Sequence, residues 1–228
     1  MSFEHALSDR ALMRIQVETL FTHDARGRLL RVNEPGGQVA PRFFLGRTVE
    51  GNEWRFRHDV DDETVRALEA LCVANVHEAT RYAAILARGA PVVHTEAGPA
   101  YRFPRDPPAS SDVVAITPAH AELLRAHLGE WADEVADRQP MRALLIDDDA
   151  VCLCGSVRIG DVAHEAGVET AQAFRGRGYA ARVVAAWAIA VRELGRVPLY
   201  STSWENAASR AVARKLGLRR YGSDYHAT

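Results

Sequence analysis

Residues 168–180, Val-Glu-Thr-Ala-Gln-Ala-Phe-Arg-Gly-Arg-Gly-Tyr-Ala, read as a strand, a glycine turn and the start of a helix. Gly176 and Gly178 permit a tight turn and close approach of a ligand to the backbone. The helix that follows, Tyr179–Leu194, carries Val183, Trp187, Val191 and Leu194 three or four apart, with Gly195 at its stop. A buried-type strand follows at Val197–Ser203, then a helix capped by Asn206 that ends at Leu216 before Gly217. The first N–H groups of a helix have no intrahelical partner. Together with the positive helix end they form an anion site suited to a pyrophosphate. Arg175 and Arg177 add charge that can reach phosphate oxygens. A dinucleotide fingerprint G-x-G-x-x-G and a phosphate loop G-x-x-x-x-G-K-[ST] are both missing here.

Around this core the predicted order of residues 112–228 is β-α-α-β-β-β-α-β-α-β. Strands are expected at Val113–Ile116, Met141–Ile146, Val151–Ile159, Val162–Gln172, Val197–Ser203 and Leu218–Tyr221. Helical stretches are expected from Thr117-Pro118 to Leu128 and from Trp131 to Ala136. Residues 103–112 cluster Pro, Ser and Asp without apolar periodicity, which marks a linker and a domain boundary near residue 111. The first half reads as a small α+β unit. It has an apolar stretch Leu12–Phe21, a strand Arg28–Val32, a hairpin of 43–45 with 54–56, two helices, and a second hairpin of 91–93 with 101–103.

Composition narrows the function classes. Residues 1–111 hold 14 Arg against 15 Asp and Glu, and the rest of the chain holds 14 basic against 15 acidic residues. Neither half has the basic excess of a nucleic-acid binder. No apolar run approaches the roughly 20 residues that span a bilayer, and the polar start MSFEHALSDRALMRI lacks a signal-peptide stretch. The expected location is the cytoplasm, with neither nucleic acid nor membrane as a partner. Three cysteines are too few for a disulfide framework. Cys152 and Cys154 share one side of a strand and read as core thiols, and no metal site is expected.

The pattern Arg175-x-x-Gly178-x-Ala180 resembles the Q/R-x-x-G-x-G/A signature of the GNAT superfamily of acetyl-CoA-dependent N-acetyltransferases. The segment Tyr200–Asn206, then Ser209 and Arg214-Lys215-Leu216-Gly217-Leu218, is similar as well. The likeness covers about 112–228 and is specific in 168–218. It implies an α/β (α+β) fold with a mixed, mostly antiparallel sheet flanked by helices, preceded here by the small N-terminal α+β domain.

The resemblance also implies roles. Backbone N–H groups of Arg175, Gly176, Arg177, Gly178, Tyr179 and Ala180 would hold the pyrophosphate of acetyl-CoA, the acyl-donor substrate. Thr170, Ala171 and Gln172 would pair with its pantetheine arm, and Asn206 and Ser209 would contact the pantetheine or phosphate portion. The acceptor would be a primary amine of a small molecule or peptide, attacking directly. An amine must lose its proton before attack. Glu169, nearest the turn, is the preferred base, with Glu165 and His164 as alternatives. The family often places a Tyr on the last helix as proton donor. Ala213 stands at that position, which leaves Tyr221, Tyr225 or water for the role. Ala213 and the unassigned first half keep two other readings open: a non-catalytic acyl-CoA-binding or sensing module, and an acyltransferase using a longer acyl-CoA. The family sheet usually ends in two antiparallel strands, so the short tail after Leu218 predicts a strand borrowed from the first half or from a second subunit in a homodimer.

Overall fold

The computed structural model describes residues 3–228. The chain runs through α1 (Asp9–Leu20), β1 (Phe21–His23), β2 (Leu29–Val32), β3 (Phe43–Thr48), β4 (Gly51–Phe56), α2 (Asp62–Val73), α3 (Ala79–Leu86) and β5 (Thr95–Arg102). It continues through β6 (Val113–Ile116), a 3-10 segment Pro118–Leu124, α4 (Gly129–Ala132), β7 (Met141–Ile146), β8 (Asp149–Ile159) and β9 (Ala163–Thr170). The last elements are α5 (Tyr179–Glu193), β10 (Val197–Ser201), α6 (Ala207–Lys215) and β11 (Arg219–Ala227).

Nine strands form one sheet in the order β4-β3-β11-β5-β10-β9-β8-β7-β6, while β1 and β2 pair separately. Among the described residues, β9 and β10 form the parallel pair of this sheet and its other neighbours are antiparallel. The sheet is therefore mixed and mostly antiparallel, as expected. The boundary expected near residue 111 does not divide it. Strand β5, from the first half, lies between β10 and β11, and β3 and β4 extend the same sheet. The borrowed strand thus comes from the first half of the same chain.

Burial explains the elements. Residues 150–156 of β8 are buried without a break, the pattern of a strand covered on both faces. On one face, Val183, Trp187 and Val191 of α5 are fully buried against Cys152 and Cys154, with Tyr200 of β10 in the same cluster. On the other, Leu12, Met13 and Val17 of α1 pack on Ala163, Leu199 and Tyr221. A third cluster joins α2 and α3 to Phe43, Leu45 and Tyr225. Helix starts follow their caps: Ser8 accepts from Ala11 N, Asp61 from Thr64 N and Asn206 from Ser209 N.

Three local expectations change. The hairpin expected around Gly98-Pro99 is instead one strand, β5. Pro99 is tolerated because β10 pairs with β5 only across Ala100–Arg102, so at Pro99 the ladder has one neighbour. The final strand runs to Ala227 rather than Tyr221. Gly222-Ser223-Asp224 has turn-like composition, but β3 and β5 hold it extended on both sides. The helix expected at 131–136 shortens to Gly129–Ala132.

Because β5 separates β10 from β11, residues 112–228 alone would expose two unpaired strand edges in mid-sheet. We expect that fragment to lack a cooperative thermal transition by circular dichroism. A soluble fragment that melts cooperatively would show that the first half is dispensable to the sheet.

Candidate active site

Strands β9 and β10 pair from Ala163↔Val197 to Glu165↔Leu199 and no further, although β9 continues to Thr170 and β10 to Ser201. A cleft of about 850 Å³ opens where the pairing stops. Its walls are Ala166, Val168, Glu169 and Thr170 on one side and Tyr200, Ser201 and Thr202 on the other. Its far end is closed by residues 174–181 and by Asn206, Ser209, Val212 and Lys215 of the α6 region.

The turn has the geometry its glycines suggest. Gly176 and Gly178 sit at φ 79° and 80°, the left-handed region that side chains disfavour. Gly178 is the N-cap of α5, so the free N–H groups of the first turn face the cleft. A Cβ at Gly178 would run into the ammonium of Lys215. That places a cation beside the helix N-terminus, where an anionic group would meet both. Arg175 lines the cleft while its Nε donates to Thr170 O at 3.1 Å, and Arg177 stacks on Phe174.

The strand lip sits slightly upstream of its expected position. Thr170 lines the cleft, with its hydroxyl 3.1 Å from Cys152 Sγ. Ala171 and Gln172 do not line it. Ala171 N–H donates to Val151 O, and Gln172 opens a short 3-10 turn, so the strand edge free to pair with a ligand is 166–170. Asn206 lines the cleft and also caps α6, so the two readings of that residue coexist. Ser209 Oγ lies 2.6 Å from the Tyr200 hydroxyl across the cleft wall.

The acidic candidates differ sharply. Glu169 is exposed at the lip, and its Oε2 accepts from Trp131 Nε1 at 2.6 Å. Trp131 reaches β9 because Gly167 has no Cβ to meet its indole, and Arg138 covers the ring. Glu165 is buried at the vertex where the strands part. Its Oε1 accepts from Ser201 N at 2.6 Å and from Ser201 Oγ at 2.9 Å, while Oε2 has no partner. Burial pushes its carboxyl up to about 7, against the pull of both Ser201 bonds, and Asp224 adds to the rise.

The remaining proton-transfer candidates are elsewhere. His164 points to the opposite face, buried by α5, with Nδ1 2.9 Å from Ser156 Oγ; burial lowers it to about 4. Tyr221 is not at the cleft. Its hydroxyl is buried under α1 and donates to Gln16 Oε1 at 2.7 Å, and burial raises the phenol well above its ordinary value. Tyr225 lies on the α2/α3 side in the third core cluster, away from the cleft lining. Ala213 packs into the core rather than the cleft. Among the described residues, no group of three or more His, Cys, Asp or Glu could hold a metal ion, and no helix is long and apolar enough to cross a membrane.

Sequence reasoning missed Lys215, Ser201 and Trp131 as members of the site. Lys215 carried a usable signal: it is the one lysine in a chain whose other basic residues are all arginine. Ser201 and Trp131 carried none, because their roles arise from strand divergence and from a contact across 38 residues.

The family model described as GNAT acetyltransferase matches residues 142–227, the stretch that builds the cleft. Over those residues the chain is similar to the GNAT acetyltransferase family. A GCN5-related N-acetyltransferase from Kribbella flavida is similar over 97% of this chain and 95% of its own, at 17% identity and a TM-score of 0.53. A GNAT-family acetyltransferase from Colwellia psychrerythraea is similar over 81% and 84%, at 12% identity and a TM-score of 0.51. For a putative GNAT-family acetyltransferase from Novosphingobium aromaticivorans the shares are 60% of this chain and 65% of that one, at 19% identity and a TM-score of 0.46. At these identities the likeness to the Kribbella and Colwellia proteins is one of fold. A search of curated proteins finds no match.

The raised carboxyl of Glu165 has a consequence for stability. The folded state holds its proton up to about pH 7, whereas the unfolded chain releases it near the ordinary carboxyl value. Stability from this group is therefore present at low pH and lost as pH rises toward 7. Glu165→Gln should melt higher than wild type at pH 8, with the gap closing as pH falls below about 4.5. Equal melting temperatures across that range would contradict a buried, proton-retaining carboxyl.

Proposed function

We propose that the chain transfers an acetyl group from acetyl-CoA to a primary amine of a small molecule or peptide by direct attack. The observation that carries this reading is the parting of β9 and β10 immediately beyond Glu165 and Leu199, which opens onto the left-handed glycine turn at the head of α5. The helix N-terminus, Arg175 and Lys215 would hold the pyrophosphate. The pantetheine arm would lie along 166–170 as a substitute strand, taking the backbone groups that β10 leaves unpaired. A free N–H in that stretch would polarise the thioester carbonyl, whose oxygen gains charge as the amine adds.

We assign the base to Glu165 in preference to Glu169. Its Oε2 is unpartnered and its carboxyl is poised near neutral pH, the range in which a base both exists deprotonated and holds a proton usefully. It would take the amine proton through a water at the vertex, because Oε2 is itself buried and Glu165 does not line the cleft. Glu169, tied to Trp131, would fix the acceptor-side wall. The nitrogen–carbonyl bond forms, the carbon–sulfur bond breaks, and CoA leaves as the thiolate. A thiol with an ordinary value near ~8.5 can leave without a tyrosine donor, which accommodates Ala213.

An amine panel with acetyl-CoA, followed by mass spectrometry, should yield acetylated product for at least one acceptor. Turnover should fall as pH drops through about 7. Glu165→Gln should lower kcat by roughly 10²–10⁴-fold and abolish that acidic limb, with little change in acetyl-CoA affinity. If Glu169→Gln has that effect instead, the base is Glu169. Acetyl-CoA binding without turnover on any amine would favour a sensing module.

The cofactor assignment has its own test. Lys215→Ala should weaken acetyl-CoA binding by about tenfold or more, the typical loss of one hydrogen bond to a charged group. Gly178→Asp should weaken it further by placing a carboxylate at the phosphate position. Unchanged calorimetric affinity in both folded variants would remove the pyrophosphate from this turn.

A further inference from the structure

A second, smaller cavity of about 200 Å³ lies on the α2/α3 face of the sheet, bounded by Arg47, Tyr82, Trp204 and Tyr225. The sheet register explains why these side chains meet. Arg47 stands opposite Ser223, and Leu45 stands opposite Tyr225, which in turn stands opposite Ala97 of β5. Arg47, Leu45 and Tyr225 therefore project to one face by period-two alternation. Trp204, just beyond β10, is fastened over this face by its N–H to Ala97 O at 3.0 Å, and Arg220 stacks on its indole.

Two polar features of the cavity lack a full set of partners: a hydroxyl without a hydrogen bond and a guanidinium without a carboxylate. The Tyr225 hydroxyl is buried, in a residue only 9% exposed, yet it makes no hydrogen bond. A buried hydroxyl left unpaired is destabilising, so such a group calls for a partner. Arg47 donates to Asn75 Oδ1 at 3.1 Å, to Tyr82 Oη at 3.2 Å and to Val76 O, which are all neutral acceptors. Among the described residues it has no carboxylate within ion-pair distance. The nearby Asp224 carboxylate is engaged elsewhere: its Oδ2 accepts from Gln16 Nε2 of α1, on the opposite face of the sheet, at 2.7 Å.

We propose that this cavity is a binding site for a small aromatic carboxylate, distinct from the acyl-CoA cleft. The carboxylate would accept from the Tyr225 hydroxyl and offset the charge of Arg47, and the ring would pack among Tyr82, Tyr225 and Trp204. The volume limits the ligand to a single ring with a short acid arm. The site shares the 202–206 segment with the cleft: Thr202 and Asn206 face the cleft and Trp204 faces the cavity. The proposal does not depend on the acyl-transfer reading, since it rests on a different cavity.

The test uses phenylacetate and its neutral amide, phenylacetamide, titrated into the full chain by calorimetry, with the indole N–H resonance of Trp204 as a site reporter. Phenylacetate should bind at one equivalent, shift the Trp204 resonance and bind equally with saturating acetyl-CoA present. Phenylacetamide should bind at least tenfold more weakly. Tyr225→Phe removes a hydroxyl that bonds to nothing in the protein, so it should fold and melt no lower than wild type while losing about tenfold or more in phenylacetate affinity. Absence of binding, equal binding of the amide, unchanged affinity in Tyr225→Phe, or displacement by acetyl-CoA would each overturn the assignment.

Discussion

Where two parallel strands part, backbone groups that would have faced each other need new partners, and here the first is claimed by a side chain. Ser201 N–H, two residues past Leu199, the last residue of β10 paired with β9, goes to the carboxylate of Glu165, the last residue of β9 paired with β10. This bond ends the ladder at a defined point. Without it, a buried donor would be orphaned at the vertex, at a cost comparable to a lost hydrogen bond. The cleft exists because the pairing stops there, and the glycine turn lies where it does because β9 runs on without β10 for five residues, 166–170. The same bond sets the chemistry of the site. Hydrogen bonds to a charged acceptor contribute about 1.5–3 kcal/mol each, while burying a carboxylate costs several kcal/mol. The two Ser201 bonds offset only part of that cost, and the carboxyl is left near 7 rather than in its ordinary range.

A parting of strands also weakens a sheet, and the fold compensates on the far side of β10. Strand β5 pairs with β10 across Ala100–Arg102 and with β11 along almost its whole length. The β10 wall of the cleft is thus anchored by a strand from the first half. On the β9 side, β8 holds the strand through seven paired positions, and α5 covers both with a fully buried stripe. Each wall is rigid for a different reason, so the opening between them can stay open without either strand collapsing onto the other.

The sequence revealed the parts of this arrangement that are local. The glycine turn, the α5 stripe, the Asn206 cap and the chain order of most strands follow from residue spacing, because each is decided within a few turns of chain. Residues 103–112 looked like a boundary on the same local grounds, and they are irregular between β5 and β6. What their composition could not reveal is that β5 on one side and β11 on the other become neighbours, since strand pairing across more than a hundred residues leaves no mark on either segment alone. The error over the final strand has the same origin. Gly222-Ser223-Asp224 reads as a turn by itself and becomes a strand only between β3 and β5.

The choice between Glu165 and Glu169 shows the same limit at the scale of chemistry. Period-two geometry puts both on one face of β9, and proximity to the glycine turn favours Glu169. Neither argument contains burial. In the structure the two carboxyls are four residues apart, one exposed beside an indole and the other sealed at the vertex. The exposed carboxylate accepts a bond from Trp131. The sealed one lies close enough to Asp224 for that charge to oppose its own, and its outer oxygen is left without a partner. Burial, a raised carboxyl and an oxygen without a protein partner come together at Glu165. Glu169 instead holds the indole that Trp131 lays over Gly167.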